Sequence, residues 1–256
     1  MSEEITLKIK KDDLWKYSTF ILLAVVVIGA IVMFTGNSGN NNYAANAGNN
    51  NAQASAGTGD FSFTDDRDLY AAIGPENAKV KVIEFFDFQC PYCALAAGLS
   101  PEAAPYATQY SDIFGVEGKV RELASAGKIQ FIFGLHSFLG SESGYAGEAA
   151  LCANEQGKYP EMYDAIFEAH NMKENDGKYS KDNLKVLAKS ISGLSASKFN
   201  SCLDSGKYAA TVTQMATAAS TAGVSGTPSF IINGQAASGS WTEISQKLQA
   251  LGVNLN

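Results

Sequence analysis

Residues 82–93 read VIEFFDFQCPYC, an apolar run that ends abruptly in two cysteines separated by two residues. The run is rich in valine, isoleucine and phenylalanine, a composition typical of a strand that is buried on both faces. The apolar residues 94–97 that follow favour a helix. We therefore predict a central strand from Val80 to Phe88 and a helix that begins at the cysteine motif.

A strand, a Cys-x-x-Cys motif and a helix, in this order, are what thiol–disulfide exchange requires. Cys90 would lie at the helix N-terminus, where unpaired N–H groups and the helix dipole stabilise a thiolate. Pro91 pre-sets the first helical turn. Cys93 would lie one turn further in, more enclosed and able to close the disulfide. The pattern predicts that Cys90 is the attacking cysteine and that Cys93 is its partner.

Glu84 interrupts the apolar pattern of the predicted strand. It shares a face with Val82 and Phe86, so we expect its carboxyl group to be buried. A buried carboxyl group is rare unless it is paired or functional. Two interpretations stay open, an acid that takes part in exchange and a structural acid with a satisfied hydrogen bond or salt bridge.

A second informative stretch, residues 223–234, reads GVSGTPSFIING. Thr227 and Pro228 precede a predicted strand, and Asn233-Gly234 predicts a hairpin turn after it. Residues 240–243, SWTE, predict the start of the last helix through a capping box. Between the two stretches, residues 128–133 predict a further strand that Gly134 would end.

These two stretches resemble the thioredoxin superfamily and, within it, the DsbA-like disulfide oxidoreductases of the cell envelope. The resemblance covers most of residues 60–256. It implies an α/β thioredoxin fold in which Thr227 and a cis Pro228 face the cysteine pair and hold the substrate backbone. It also implies an acid at Glu84 that helps proton movement beneath the cysteines. Pro91 and Tyr92, which stand between the two cysteines, are predicted to be supporting residues.

Residues 141–223 predict a run of helices. One apolar stripe follows the spacing i, i+3, i+4, i+7, i+8 and consists of Tyr159, Met162, Tyr163, Ile166 and Phe167. The segment resembles the helical subdomain that DsbA-like proteins insert between the two halves of the thioredoxin fold. Before it the pattern departs from the family, because Pro101 and Pro105 interrupt the motif helix and helical spacing resumes over residues 116–126. We expect a kinked or two-piece helix there.

Cys152 and Cys202 remain as a second possible pair. Each stands on an apolar helix face, and an oxidising compartment with an even number of cysteines favours a structural disulfide. Two buried free thiols are the alternative.

The first 59 residues predict a membrane anchor and a tether. Residues 17–34 contain no charged residue, and eighteen helical residues span about 27 Å, close to the hydrocarbon thickness. Four lysines lie in residues 1–16, whereas no lysine or arginine follows the span until Arg67. The positive-inside rule makes residues 1–16 a cytoplasmic tail, 17–35 a transmembrane helix, 36–59 an Asn/Gly/Ala-rich linker and 60–256 an extracytoplasmic domain. A cleaved signal peptide is the alternative, although its apolar region usually has about 7–15 residues.

Composition excludes two classes of function. The formal net charge of −7 and the lack of a basic, aromatic-rich patch argue against nucleic-acid binding. Neither histidine stands at metal-ligand spacing from the cysteine motif and there is no second Cys-x-x-Cys, so we expect no zinc site. No cofactor is expected.

The sequence thus predicts a single-pass membrane enzyme that oxidises cysteine pairs of exported proteins. By family analogy, a membrane quinone-linked thiol oxidase would re-oxidise it. Two alternatives stay open. One is a disulfide reductase or isomerase of the cell envelope, and the other is a non-enzymatic, membrane-tethered binding module whose Cys-x-x-Cys disulfide is structural.

Overall fold

The structure is a computed structural model that describes residues 70–256. The predicted tail, transmembrane helix and linker lie outside the described residues, as do the first ten residues of the predicted domain. Within residues 70–256, no helix combines the length and the apolar character needed to cross a membrane.

A mixed five-stranded sheet forms the centre of the described region. Its spatial order is β1-β3-β2-β4-β5, with bounds β1 (Ala72–Ile73), β2 (Lys81–Phe86), β3 (Gln130–Leu135), β4 (Ser229–Ile232) and β5 (Gln235–Ala237). Strand β2 pairs in parallel with β3 and antiparallel with β4. All its residues after Lys81 are buried, as the apolar run predicts for a strand with packing on both faces.

Helices cover the sheet and fill the long connection between β3 and β4. Their bounds are α1 (Pro91–Ala97), α2 (Val116–Ser125), α3 (Ser141–Asn154), α4 (Tyr159–Glu168), α5 (Lys181–Ala188), α6 (Ala196–Ser205), α7 (Ala209–Thr221) and α8 (Trp241–Ala250), with a 3₁₀ turn at Ala104–Tyr106. Helices α3 to α7 form the predicted helical insert. The predicted apolar stripe on α4 is completely or almost completely buried in the main core.

The central strand is shorter than predicted. It ends at Phe86, and Asp87 begins a turn in which its carboxylate accepts a hydrogen bond from the Gln89 N–H (2.9 Å) and its carbonyl accepts one from the Cys90 N–H (3.0 Å). Phe88 is fully buried but outside the strand. This turn redirects the chain from the sheet into α1, so it positions the first cysteine.

Gly134 does not end its strand, contrary to the prediction. It lies inside β3 opposite Phe85, where an added Cβ would come within 2.8 Å of the Glu84 carbonyl oxygen and 2.9 Å of the Phe85 ring. Glycine is needed here because the two central strands and the Phe85 side chain leave no room for a Cβ, not because the backbone turns.

The motif helix ends before either proline. Gly98 adopts a left-handed conformation (φ 69°), and its N–H donates to the Ala94 carbonyl. A Cβ on Gly98 would come 2.8 Å from the Gly115 Cα, so the start of α2 packs directly against this turn. The predicted second helical segment is confirmed as α2, to within one residue at its end.

The last part of the chain follows the sequence signals closely. Asn233 and Gly234, with φ of 47° and 80°, form the turn between β4 and β5. The Ser240 hydroxyl accepts a hydrogen bond from the Glu243 N–H (3.3 Å) and so caps α8. The Glu243 carboxylate binds Ser238, so only one half of the predicted capping box forms.

Candidate active site

The two motif cysteines occupy unequal positions on α1. Cys90 is the N-cap residue with an extended backbone (φ −71°, ψ 119°), and 6% of its surface is exposed. Pro91 is the first helical residue, and Cys93 is completely buried one turn further along. Both cysteines are free thiols. Only Cys90 therefore presents any surface to an incoming thiol.

The loop before β4 lies against Cys90. The Cys90 Sγ donates a hydrogen bond to the Thr227 carbonyl oxygen (3.3 Å), and the Thr227–Pro228 peptide bond is cis. Residues 137 positions apart in the chain thus meet at the reactive sulfur. The structure brings together Cys90, Cys93, Thr227 and Pro228, which the sequence analysis had placed in one site.

Their surroundings give the two thiols different pKa values. A hydrogen bond with the Cys93 thiol lowers the pKa of Cys90 to about 7. Burial opposes this shift, whereas the contact with Thr227 and the N–H groups of the first helical turn add to it. For Cys93, burial raises the pKa well above its ordinary value. Near neutral pH, Cys90 is therefore about half ionised, while Cys93 keeps its proton.

Glu84 is completely buried, and neither carboxyl oxygen has a hydrogen-bond partner in the described part of the chain. Burial is the main cause that raises its pKa well above the ordinary value, and the nearby Glu117 carboxylate adds to the shift. Arg121 opposes it, but forms no salt bridge to Glu84. Glu84 is thus a neutral acid near the cysteines, and the geometry does not fit a satisfied salt-bridge partner.

A second buried carboxyl group, Glu117 of α2, was missed by the sequence analysis. It accepts hydrogen bonds from the Tyr163 hydroxyl (2.6 Å) and from Arg121 Nη1 (3.2 Å). Arg121 also binds both carboxylate oxygens of Asp164 (2.5 and 3.3 Å). Burial raises the pKa of Glu117 to about 7, and Arg121 opposes the shift. One signal was available, because Glu117 stands three residues before the apolar Val120 and therefore near the buried face of α2.

Polar side chains also fix the turn before Cys90, and these too were missed. The buried Asp87 carboxylate accepts hydrogen bonds from the Phe138 N–H (2.8 Å) and the Leu139 N–H (3.0 Å). The buried Gln89 amide donates to Ser143 Oγ (2.9 Å) and accepts from the Asn175 N–H (2.6 Å). These bonds connect the motif turn to the helical insert.

Cys152 and Cys202 form a disulfide between α3 and α6, with their Cα atoms 5.8 Å apart. This separation lies within the range that a disulfide requires. The bond lies in the helical insert and is separate from the reactive pair.

Comparison with known proteins identifies the family. A family model described as Thioredoxin matches residues 67–104 and 115–250. The chain belongs to this thioredoxin family. Residues 105–114, between the two matched ranges, are not part of the match.

The individual proteins that match this chain share only a low sequence identity with it. The chain is 24% identical to the probable disulfide bond formation protein D of Bacillus anthracis over 168 residues, which cover 65% of this chain and 70% of that protein. It is 30% identical over 168 residues to the Na(+)/H(+) antiporter NhaA 1 of Salinispora arenicola (strain CNS-205), which covers 66% of this chain. The chain spans only 22% of the length of that antiporter.

The solved structure of oxidised BdbD from Bacillus subtilis has the same fold. It matches with a TM-score of 0.57 at 19% identity, over 72% of this chain and 93% of that one. At this identity the likeness shows the fold alone.

Proposed function

We propose that this chain is a thiol–disulfide oxidoreductase that oxidises cysteine pairs of exported proteins. The observation that carries the proposal is the unequal pair of thiols on α1. Cys90 lies at the helix N-terminus against Thr227, with its pKa lowered to about 7, while Cys93 is fully buried and keeps its proton. The name of the Bacillus anthracis relative, a probable disulfide bond formation protein, supports the same chemistry.

The reaction starts from the disulfide between Cys90 and Cys93. A substrate thiolate attacks the Cys90 Sγ, the bond between the two cysteines breaks, and Cys93 leaves as a thiolate that takes up a proton. A second substrate thiolate then attacks the substrate sulfur of the mixed disulfide and releases Cys90 as a thiolate. Two electrons pass from the substrate dithiol to the pair, and the products are a substrate disulfide and the free thiols seen in the structure.

Each neighbouring group has a part in this scheme. The Thr227 carbonyl contacts the Cys90 sulfur, and Thr227 and the cis Pro228 would hold the substrate backbone beside it. Glu84, buried and protonated, would supply the proton that Cys93 takes up. Stabilising the Cys90 thiolate stabilises the reduced pair, which makes the disulfide a better oxidant.

The cellular setting belongs to the same proposal. Residues 17–35 would anchor the chain in the membrane with the catalytic domain outside the cytoplasm, and a membrane quinone-linked thiol oxidase would remove the two electrons. Support comes from the lysine asymmetry and the uncharged span in the sequence, and from family analogy for the re-oxidant. Sodium–proton exchange is not proposed, because the antiporter match covers only 22% of that protein.

The reduction potential of the Cys90–Cys93 pair tests this function against a reductase and against a structural disulfide. The full chain in detergent is equilibrated in glutathione buffers, and mass spectrometry quantifies the Cys90 and Cys93 peptides separately from Cys152 and Cys202. An oxidase should give about −180 mV or higher, a reductase about −270 mV, and a structural disulfide below about −300 mV. A Cys90→Ser variant serves as the control that cannot form the pair.

A further inference from the structure

Residues 105–114, PYATQYSDIF, form the gap between the two ranges that the family model matches. The segment lies at the surface and contains no buried residue, but hydrogen bonds fix its conformation. Its turns are held by hydrogen bonds from the Tyr110 N–H to the Tyr106 carbonyl (3.0 Å) and from the Phe114 N–H to the Tyr110 carbonyl (2.8 Å). Immediately after it, the Gly115 N–H donates to the Leu95 carbonyl of α1 (2.9 Å). One end of the segment is thus attached to the helix that carries the cysteines.

Asp112 attaches the segment to the start of α8. Its backbone carbonyl accepts from the Trp241 N–H (2.7 Å), and its carboxylate accepts from the Thr242 N–H (2.9 Å) and hydroxyl (2.8 Å) and from the Ser240 hydroxyl. The preceding Gly239 lies against Pro228, since an added Cβ would be 3.2 Å from its ring. The segment therefore connects both sides of the cysteine site, the motif helix and the residues that pack against the cis-proline.

The segment places aromatic rings beside the cysteine motif. The Tyr110 ring meets the Tyr92 ring edge-to-face, with centroids 5.9 Å apart and an interplanar angle of 87°. Tyr92 is 50% exposed and Tyr106 is 45% exposed. We name these three residues, Tyr92, Tyr106 and Tyr110, the aromatic ledge. Exposed tyrosines of this kind are typical of interaction surfaces, because they offer a large apolar area with few torsions to immobilise.

We propose that the aromatic ledge binds apolar side chains next to the reacting cysteine of a substrate polypeptide, so that peptides with apolar residues beside their cysteines are oxidised in preference to polar ones. This inference rests on the proposed function. The substrate sulfur must bond to the Cys90 Sγ, and Tyr92 is only two residues from Cys90. In an extended chain each residue adds about 3.3 Å, so side chains one to three residues from the substrate cysteine fall beside the ledge.

The occupant is a polypeptide substrate because the ledge is continuous with the site at which that substrate reacts. Tyr92 belongs to the cysteine motif, and Tyr110 touches it directly. A tyrosine carries a polar hydroxyl on an apolar ring, which suits a chain whose backbone stays polar between apolar side chains. A second copy of this chain would be a different occupant, and the test below distinguishes it.

The test compares two dithiol peptides that differ only beside their cysteines, one with leucine and phenylalanine and one with serine and glycine. Oxidation by the full-length disulfide form in detergent is followed by stopped-flow, with kcat/KM as the readout. We expect the wild-type chain to prefer the apolar peptide by about tenfold, the size of one or two aromatic contacts. In a Tyr106→Ser/Tyr110→Ser double variant, this preference should fall to about one- to twofold.

The matched control is Leu251→Ser, which removes an equally exposed apolar side chain (47%) just beyond the opposite end of α8. It should keep the preference, and circular dichroism shows whether each variant is folded. Equal oxidation of both peptides by the wild-type chain would overturn the ledge proposal alone, whereas oxidation of neither would overturn the proposed function. If the wild-type chain sediments as a dimer and the Tyr106→Ser/Tyr110→Ser variant as a monomer, with the same peptide preference, the ledge serves self-association. That result would also overturn the proposal.

Discussion

At the Cys90 sulfur, burial and hydrogen bonding act in opposite directions. Contact with Cys93 and Thr227 outweighs desolvation, so the pKa falls to about 7, whereas Cys93 has desolvation with little compensation. The difference makes one thiol a nucleophile and leaving group at neutral pH and keeps the other protonated. The same residue type, three positions apart, therefore acquires two chemical roles from its surroundings.

This asymmetry predicts the alkylation behaviour of the reduced chain. Cys90 should react with iodoacetamide at a rate that rises with pH through about 7, because only the thiolate reacts, and Cys93 should stay unreactive over that range. Peptide mapping of quenched samples measures both. Cys90→Ser should abolish exchange, and Cys93→Ser should accumulate mixed disulfides with substrates. Titration of Cys90 near 8.5, at no higher rate than Cys93, would contradict the proposed role.

Glu84 predicts an unusual dependence of stability on pH. Its pKa is raised in the folded state, so its stabilising contribution is complete below about 4.3, the unfolded value, and is lost as the pH rises through the folded pKa. Glu117, with a pKa of about 7, acts in the same direction. The stability of the Glu84→Gln variant should therefore fall less than that of the wild-type chain between pH 5 and pH 9.

Urea denaturation of the wild-type and variant chains at both pH values checks this expectation. Glu102→Gln, a change at an exposed position, is the matched control and should follow the wild-type chain. If Glu84→Gln loses stability with pH as steeply as the wild type does, Glu84 is ionised in the folded chain and cannot be the proton source.

The local sequence pattern was sufficient to predict the positions of the two cysteines and the burial of Glu84. Neighbouring residues encode both the alternation of a strand and the start of a helix. It was insufficient for the partners of buried polar groups. Glu117 binds Tyr163, 46 residues away, and Asp87 binds the N–H groups of a loop about 50 residues away. These pairings depend on how α2, α4 and the helical insert pack on the sheet, which no local pattern specifies.

At the scale of elements, predictions succeeded where periodicity extends over several turns and failed where one residue ends an element. The stripe on α4 and the limits of α2 follow from repeated apolar spacing. Helix α1 ends at Gly98, which packs against Gly115 at the start of the next helix. Strand β3 continues through Gly134, which is a glycine because the Phe85 ring leaves no room for a Cβ. Gly98 ends a helix with a left-handed conformation, whereas Gly134 lies inside a strand where a Cβ would not fit. The neighbouring sequence does not show which of these two roles a glycine has.

The disulfide between α3 and α6 gives a prediction at this scale. It closes a loop with a sequence separation of 50 residues. On the chain-entropy model such a bond stabilises the fold by about 4 kcal/mol, so a Cys152→Ala/Cys202→Ala variant should lose about that much stability. Its Cys90 thiol should keep the alkylation profile of the wild type, because the bond is separate from the reactive pair. Guanidinium denaturation and the alkylation assay measure the two effects, and a loss below about 1 kcal/mol would show that the helices are held by packing alone.

At the scale of the whole molecule, the proposed chemistry belongs to residues 70–256, whereas the proposed membrane location rests on the sequence of residues 1–59. The predicted linker has 24 residues and, as a random coil, a root-mean-square span of roughly 25–30 Å. The fold of residues 70–256 supports the exchange chemistry, and the sequence before it supports this location.

This placement gives the last prediction. With lysines before the span and none for more than 30 residues after it, the domain should lie outside the cytoplasm and the span should be retained. Protease added to intact cells should remove a C-terminal epitope tag and leave an N-terminal tag intact, and lysed cells should lose both. The N-terminus of the purified chain, read by mass spectrometry, should lie before residue 17. A protected C-terminal tag would reverse the topology, whereas a mature chain that begins within residues 36–59 would replace the anchor by a cleaved signal peptide and leave the extracytoplasmic location intact.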